Sequence, residues 1–211
     1  MSISKSFSNK GYLIVKNAIS KELAFFLQNY LVVKEQVLKT FIDTKFISPF
    51  NHTYGFIENN TQQVPGSFCT YGDVAFDTLL LKLLPLMEKK TGLKLNPSYS
   101  YTRNYKKGDE LKRHKDRFNC EISTTIFLGG DKWDIFLEPS GKEGKKGLRV
   151  SFELGDMLIY KGHELEHWRE PFKGKESFQV FLHYNNIKTK NAKEHIFDKR
   201  VHVGLPSFFR K

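Results

Sequence analysis

The sequence predicts an α+β fold, mainly β, in which a double-sheet jelly roll is buttressed by N-terminal helices. Two stretches with helical apolar spacing occur in the first half of the chain, and after residue 95 the apolar period changes to two. About eight short strands then follow, separated by turn residues, as is typical of jelly rolls. The 211 residues predict one domain, with a helical buttress (18–92), a jelly-roll core (95–185) and a basic tail (186–211).

Composition excludes several classes of protein. Hydrophobic residues make up 39% of the chain, and 19 residues are Phe, so a sizeable core is available. No apolar run reaches the roughly 18 residues of a membrane helix, and the polar first residues lack the apolar region of a secretory signal. Cys69 and Cys120 are too few for a disulfide framework or a thiolate zinc cage. We therefore expect a cytoplasmic protein without membrane association.

The chain is strongly basic, with 34 Lys and Arg against 23 Asp and Glu, a net charge of +11. A basic surface attracts anions such as nucleic acid, anionic lipid or acidic protein. The positive residues are scattered among acidic ones and form no long Lys/Arg run. Nucleic acid therefore remains an open partner rather than the first expectation.

The N-terminal half predicts one strand and two helices. Tyr12–Val15 is apolar and partly β-branched, as in a short strand. Ser20 is placed to cap a helix that runs to about Thr40, and Asp73 opens a second helix over residues 74–90. Pro85 is expected to kink or split this second helix, and Gly92 to end it.

The long stretch 43–72 between these helices contains Pro, Gly and many aromatic residues. Loops of this length in small domains are often lids or substrate loops, although a packed irregular surface segment fits equally well. The later strands are predicted at residues 98–105, 111–116, 121–128, 133–138, 148–152, 157–160 and 177–184.

The metal-ligating candidates lie around Arg113-His114-Lys115-Asp116-Arg117. Residues i and i+2 of a strand share a face, so His114 and Asp116 are expected to project the same way. Together with His167 they offer two imidazoles and one carboxylate. Such a set holds divalent iron on one face and leaves the other coordination positions open.

A competing motif is His163-Glu164-Leu165-Glu166-His167, which matches the H-E-x-x-H pattern of zinc peptidases. That pattern needs a helix, because positions i and i+4 must share a face around one zinc ion. Here the helix would be confined between Gly162 and Pro171, directly after a predicted strand. The peptidase therefore stays an alternative.

The motifs together resemble the iron(II)/2-oxoglutarate-dependent oxygenases, in particular the prolyl-4-hydroxylase-like branch. The resemblance covers roughly residues 97–185. It is carried by Asn104 to Gly108, the His114-x-Asp116 pair, Gly155 to Tyr160, and His167. It implies a double-stranded β-helix, iron(II) bound by His114, Asp116 and His167, and 2-oxoglutarate beside Tyr105. It also implies that O₂ is a co-substrate, that succinate and CO₂ are released, and that a substrate C–H bond is hydroxylated.

One position departs from that family. In that family, a Lys or Arg about ten residues after the distal His pairs with the far carboxylate of 2-oxoglutarate. In this chain the last strand carries Glu176, Ser177 and Gln179 there, and no basic residue. A buried dicarboxylate still needs a cation and hydrogen-bond donors. Arg169 is the first candidate, with a rim salt bridge to a neighbouring Glu as the alternative, and Arg103 is the second. Gln179 and His183 are candidates to assist.

The resemblance favours a prolyl or other residue of a peptide or protein as substrate. The alternatives are an AlkB-like oxygenase acting on nucleic acid, a zinc peptidase, and a non-catalytic jelly-roll binding module. Trp133, Trp168 and Tyr101 offer stacking surfaces for a proline ring or a base, but such residues are more often part of the core. The oligomeric state is not predicted.

Overall fold

The structure, a computed structural model, describes residues 3–47 and 63–210, and it contains two antiparallel sheets that face each other. The six-stranded sheet has the order β1-β8-β5-β10-β3-β2, and the four-stranded sheet has the order β4-β9-β6-β7. This architecture confirms the predicted jelly roll. The strands are β1 (Tyr12–Val15), β2 (Phe68–Tyr71), β3 (Leu95–Lys106), β4 (Leu111–His114), β5 (Ile122–Gly130), β6 (Ile135–Leu137), β7 (Leu148–Val150), β8 (Met157–Tyr160), β9 (His167–Arg169) and β10 (Glu176–Asn186).

Three α-helices alternate with the first strands. Helix α1 (Ile3–Lys10) precedes β1, α2 (Lys21–Asp43) lies between β1 and β2, and α3 (Val74–Thr91) lies between β2 and β3. Ser20 caps α2 by accepting a hydrogen bond from the Leu23 amide at 3.1 Å, as predicted. Gly92 ends α3 in the left-handed conformation, also as predicted. Of the two outcomes predicted at Pro85, a kink or a split, the split does not occur, since α3 runs through this residue.

Helix α1 was not predicted, because Ile3 and Phe7 are the two apolar residues among its eight, too few to define a helical period. Strand β2 was also missed, and it lies inside the stretch predicted to be an irregular loop. β2 pairs with β3, where Cys69 faces Arg103. The middle of that stretch, residues 48–62 with Pro49, Gly55 and three aromatic residues, lies outside the described residues.

The main core lies between the helices and the six-stranded sheet. Leu31 of α2 and Leu80 of α3 are fully buried there, against Ile126 of β5 and Val180 of β10. Each such side chain contributes about 1.5–3 kcal/mol by leaving water. The helices therefore cover the outer face of the large sheet, and its inner face is left to meet the small sheet.

The long strands β3 and β10 form the floor of the space between the sheets. Their register places Arg103 opposite Gln179 and Tyr105 opposite Ser177. Because alternate residues of a strand share a face, these four side chains point the same way. The predicted shared face of Arg103 and Tyr105 is thus present, and it carries polar groups into the interior.

The chain after β10 folds back on the domain. Residues 192–199 form 3-10 turns, and Arg200 is buried against Asp77 of α3. Arg200 also forms an isolated antiparallel bridge with Arg210. In the described part of the chain, no helix is both long enough and apolar enough to cross a bilayer.

Candidate metal and co-substrate site

Three of the predicted site residues converge between the sheets. His114 ends β4 and is paired directly with His167, the first residue of β9. Asp116 Oδ1 lies 3.8 Å from His114 Nε2 and 3.4 Å from His167 Nε2. Ligand atoms bound at right angles to one metal ion are about 3 Å apart, so these three atoms need only small movements to share an ion.

The position of Asp116 differs in one respect from the prediction. Strand β4 ends at His114, so Asp116 does not share a strand face with it. Instead, the Asp116 amide donates to the Gly162 carbonyl at 2.9 Å, in the turn that precedes β9. The carboxylate reaches the imidazoles because the chain bends towards that turn.

Both imidazoles are oriented by main-chain carbonyls. His114 Nδ1 donates to the Lys112 carbonyl at 2.7 Å, and His167 Nδ1 donates to the Leu165 carbonyl at 3.1 Å. A proton on Nδ1 leaves the Nε2 lone pair free, and Nε2 is the atom that faces Asp116 in both residues. The arrangement therefore presents two imidazole lone pairs and one carboxylate oxygen to the same point.

The Gln63 side chain also reaches this point. Its amide nitrogen lies 3.1 Å from His114 Nε2, within hydrogen-bond distance. An amide N–H in this place donates to the lone pair that a metal ion would use. Binding of an ion through His114 therefore requires Gln63 to turn away.

The second oxygen of Asp116 is held by Ser123 of β5. The Ser123 hydroxyl donates to Asp116 Oδ2 at 2.7 Å and accepts from His183 Nδ1 at 3.0 Å. Gly162 packs so closely here that a Cβ atom would overlap both Asp116 Oδ2 and Ser123 Oγ. The sequence analysis missed Ser123 and Gly162, because neither stands in a motif and only the folded chain brings them to Asp116.

The charges within this cluster shift the pKa values of its members. Burial would raise the pKa of Asp116, but His167, His183 and Ser123 together hold it well below its usual range. Burial lowers the pKa of His183 to about 4, so this imidazole is neutral at physiological pH. Burial also lowers the pKa of His114. Burial acts in the same direction on His167, but the charge of Asp116 and the hydrogen bonds to Asp116 and to the Leu165 carbonyl together outweigh it and raise the pKa of His167. The carboxylate is thus ionised and ready to bind a cation.

The H-E-x-x-H motif does not form the helix that a zinc peptidase needs. Residues 162–164 form a turn, and β9 begins at His167. His163 instead lies against Phe118, with Nδ1 3.4 Å from the Glu121 carbonyl. It is absent from the metal-ligating clusters found among the described residues.

The His114, Asp116 and His167 cluster opens into a cavity of about 540 Å³. Five tyrosines line it, and Asp116 is the one carboxylate among its described lining residues. The cations on its wall are Arg103, Lys115, Arg117 and Arg210. Cavities of this volume accommodate small ligands, and the charge of this one favours anions.

Two buried arginines lie on the inner face near this cavity, and neither forms an ion pair with a described carboxylate. Arg103 is 1% exposed and Arg169 is 0% exposed. Arg103 donates to the Tyr101 hydroxyl at 3.0 Å, whereas its Nε and Nη1 have no described partner. Arg169 donates to the Trp133 carbonyl and, at 3.4 Å, to the Thr125 hydroxyl, and its Nε has no described partner.

These two arginines differ in their access to the cavity. Arg103 lines it, and Arg169 is not among its described lining residues. The guanidinium of Arg169 instead packs over the Trp133 ring at 5.1 Å, behind the wall. Of the two predicted cations, the second candidate is therefore the one with direct access.

The other predicted co-substrate residues are spread over the same inner face. Tyr105 is buried, lines the cavity, and stacks edge-on with Trp133 at 4.7 Å. Gln179 bonds with Thr125 and Ser177 at 3.2 Å, next to Arg169. His183 lies at the opposite end, against Ser123 and Tyr99.

Comparison with known proteins relates the chain through its structure alone. No family profile matches the sequence, and no curated protein matches it either. Among solved structures, a Pseudomonas putida prolyl-4-hydroxylase is similar with a TM-score of 0.57 and 16% identity, over 87% of this chain and 97% of that one. A 2OG-Fe(II) oxygenase family oxidoreductase from Burkholderia pseudomallei has a TM-score of 0.63 and 10% identity, over 90% and 91% of the two chains.

A third structure carries ligands. HygX from Streptomyces hygroscopicus, with nickel, 2-oxoglutarate and hygromycin B bound, is similar with a TM-score of 0.61 and 12% identity, over 88% of this chain and 87% of that one. These likenesses confirm the predicted resemblance at the level of fold. The chain has the fold of the iron(II)/2-oxoglutarate-dependent oxygenases.

Proposed function

We propose that this protein is an iron(II)- and 2-oxoglutarate-dependent dioxygenase that hydroxylates a C–H bond of its substrate. One observation carries the proposal. His114 Nε2, His167 Nε2 and Asp116 Oδ1 converge at a cavity whose buried Arg103 has no described carboxylate partner. The fold shared with oxygenases of this class supports the same reading.

The donor atoms fit iron(II). Two imidazole nitrogens and one carboxylate oxygen form the set that non-haem iron sites use, with further positions open for other ligands. The carbonyls of Lys112 and Leu165 orient the imidazoles, and Ser123 occupies the second carboxylate oxygen of Asp116. These contacts leave Asp116 to bind through Oδ1 alone.

The cation near the cavity fits a dicarboxylate. Burial of a guanidinium without an anionic partner is unfavourable, and a carboxylate placed at Arg103 would use its free Nε and Nη1 donors. Arg169 adds positive charge from behind the wall, and the Tyr105 hydroxyl lies on the same side. We assign the far carboxylate of 2-oxoglutarate to Arg103, with support from Arg169, Tyr105 and Gln179.

The bound iron and 2-oxoglutarate would together supply the oxidising power, consuming O₂ and releasing succinate and CO₂ as the substrate is hydroxylated. The chain itself does the binding and positioning. His114, Asp116 and His167 fix one face of the site, and Arg103 fixes the far end of the co-substrate. Buried Tyr105 and Tyr160 line the cavity and exclude water around these groups.

For the substrate, we propose a prolyl or other residue of a peptide or protein as the first class to test. The fold is shared with the Pseudomonas putida prolyl-4-hydroxylase, which supports this class. HygX, of the same fold, was solved with hygromycin B bound, so the fold also accommodates ligands of another kind. We also propose a cytoplasmic location, because a chain with two cysteines, Cys69 and Cys120, cannot build the disulfide framework typical of small secreted proteins.

The proposal is tested on purified full-length protein by measuring iron content and succinate release from 2-oxoglutarate. We expect stoichiometric iron and iron-dependent succinate that rises with a suitable substrate. Iron binding without succinate formation under any condition would favour the non-catalytic module instead. Peptide cleavage that depends on zinc and on His163 would favour the peptidase.

A further inference from the structure

We propose that Arg117 and Arg210 form a clamp that binds an anionic group of the substrate, a carboxylate or a phosphate, at the cavity wall. This inference rests on the proposed function, because it names the substrate class of the same site. Both arginines line the cavity, and both are about half exposed, at 48% and 47% of the side chain. Their guanidinium groups are therefore accessible to a ligand.

Both arginines lie around one buried carboxylate. Asp198, with a side chain 2% exposed, pairs with Arg117 at 2.9 Å and with Arg210 at 3.6 Å. It also accepts hydrogen bonds from Tyr71 and Asn119. Two positive charges against one negative charge leave the group with a net positive charge at the cavity wall. A second anion would restore the balance.

The backbone that carries Asp198 is strained, so its position is specifically maintained. Phe197, Asp198 and Lys199 have φ values of 53°, 54° and 66°, three consecutive non-glycine residues in the left-handed region. L-residues adopt this conformation at a cost, and it persists only where surrounding contacts enforce it. Here the contacts of Asp198 enforce it, and they fix the carboxylate between the two arginines.

A separate anchor places Arg210. The Arg200 guanidinium is fully buried, where it pairs with Asp77 at 2.8 Å and donates to the Leu205 carbonyl at 2.6 Å. The backbone of Arg200 bridges that of Arg210, and the Val201 amide donates to the Phe209 carbonyl at 3.2 Å. The C-terminal segment is thus held as a loop whose end delivers Arg210 to the cavity.

Arg117 retains donors for a ligand and has an aromatic neighbour. It donates from Nη2 to Asp198 and, at 3.4 Å, from Nε to the Tyr99 hydroxyl, and a guanidinium carries more N–H groups than these two bonds use. Its guanidinium lies 4.7 Å over the Tyr99 ring, which stacks with Tyr71 at 4.8 Å. An anionic group attached to a planar or apolar body fits this wall of cations and tyrosines.

The clamp is tested by titrating phenyl phosphate, benzoate, neutral benzamide and neutral acetylprolinamide into protein loaded with nickel(II) and saturated with 2-oxoglutarate. We expect the two anions to bind and the neutral probes to bind at least about tenfold more weakly, because charge-assisted hydrogen bonds dominate the contact. The relative affinities of phenyl phosphate and benzoate then identify the preferred anion. Failure of both anions to bind, or equal binding of a neutral probe, overturns the clamp.

Three variants locate the binding. R117Q and R210Q are each expected to weaken anion binding about tenfold, whereas R149Q is expected to leave it unchanged. Arg149 is a matched control, because it is also exposed and paired with one carboxylate, Asp134, but it does not line the cavity. Arg210 pairs with Asp198 at 3.6 Å, less closely than Arg117 at 2.9 Å, so R210Q remains informative if R117Q fails to fold. Equal effects of R149Q and R210Q would overturn the clamp.

A second arm separates the clamp from the proposed function. The same titration is repeated without metal or 2-oxoglutarate, in the Arg103→Met background so that the buried cation does not bind the probe. Anion binding that still depends on Arg210 supports the clamp even if nickel and 2-oxoglutarate fail to bind, a result that would refute only the oxygenase. Loss of the Arg210 dependence in both arms refutes the clamp itself.

Discussion

Two fully buried arginines, Arg200 and Arg103, lie in opposite electrostatic situations. Arg200 is enclosed by the Asp77 carboxylate and three main-chain carbonyls, of Phe197, Ser98 and Leu205. Arg103 has one neutral hydrogen bond, to Tyr101, and two guanidinium nitrogens, Nε and Nη1, without a described partner. A buried charge needs compensation. For Arg200 the compensating groups belong to the chain itself, and the residue stabilises the fold. Arg103 lacks a described internal counter-ion and is suited to bind an anionic ligand.

The largest expected effect comes from breaking the compensated pair. Arg200→Met leaves Asp77 buried without its cation and should lower the free energy of unfolding by about 3–5 kcal/mol. Urea denaturation of the metal-free protein measures the change. An unfolding free energy within about 1 kcal/mol of wild type would mean that the pair does not anchor the C-terminal segment.

The matched change at the uncompensated arginine should behave in the opposite way. Arg103→Met removes a buried charge that has no described acidic partner, so the metal-free protein should be as stable as wild type or more stable. Its affinity for 2-oxoglutarate should fall at least about 30-fold, because a buried charge pair with the ligand is lost. Calorimetry with nickel(II) present measures the affinity.

The result at Arg103 also discriminates between the two predicted cations. If R103M binds 2-oxoglutarate normally and Arg169→Met does not, the co-substrate pairs with Arg169, the first expectation from the sequence. If R103M is destabilised as strongly as R200M, Arg103 is structural, and the contrast between the two arginines fails.

A smaller effect is expected at Ser123, which positions Asp116 without facing the metal itself. Ser123→Ala removes the hydrogen bond to Asp116 Oδ2 and should weaken metal binding about 10–100-fold. Ser98→Ala is the control, because it removes a hydroxyl that is buried like that of Ser123 but has no described hydrogen-bond partner. Nickel(II) titration of both variants measures the difference, and equal affinities would remove Ser123 from the site.

The sequence predicted those parts of the molecule that depend on local pattern. The cap at Ser20, the stop at Gly92 and the strand Tyr12–Val15 follow from local chemistry and were found where predicted. The predicted split at Pro85 does not occur, because burial of neighbouring Leu83 and Met87 keeps α3 continuous across it. Tertiary packing outweighed a local preference there.

The candidate site was predictable only in its residue types. An H-x-D pair and a distant His could be selected from the sequence. The position of Asp116 beside the imidazoles, however, depends on the hydrogen bond from its amide to the Gly162 carbonyl, in a turn that is distant in sequence. Which of Arg169 and Arg103 is the better candidate to bind 2-oxoglutarate depends on which guanidinium faces the cavity, and residue spacing in the sequence does not determine that. The C-terminal segment has no strand or helix period, so its contribution of Arg210 appeared only in the folded chain.

The most direct test of the central claim compares His114, which ends β4, with His163, which lies in the turn before β9. His114→Ala should lower iron(II) affinity more than about 100-fold and abolish succinate formation from 2-oxoglutarate, whereas His163→Ala should leave both near wild type. Full iron binding and succinate formation by His114→Ala, or loss of both in His163→Ala alone, would contradict the assignment of iron to His114, Asp116 and His167.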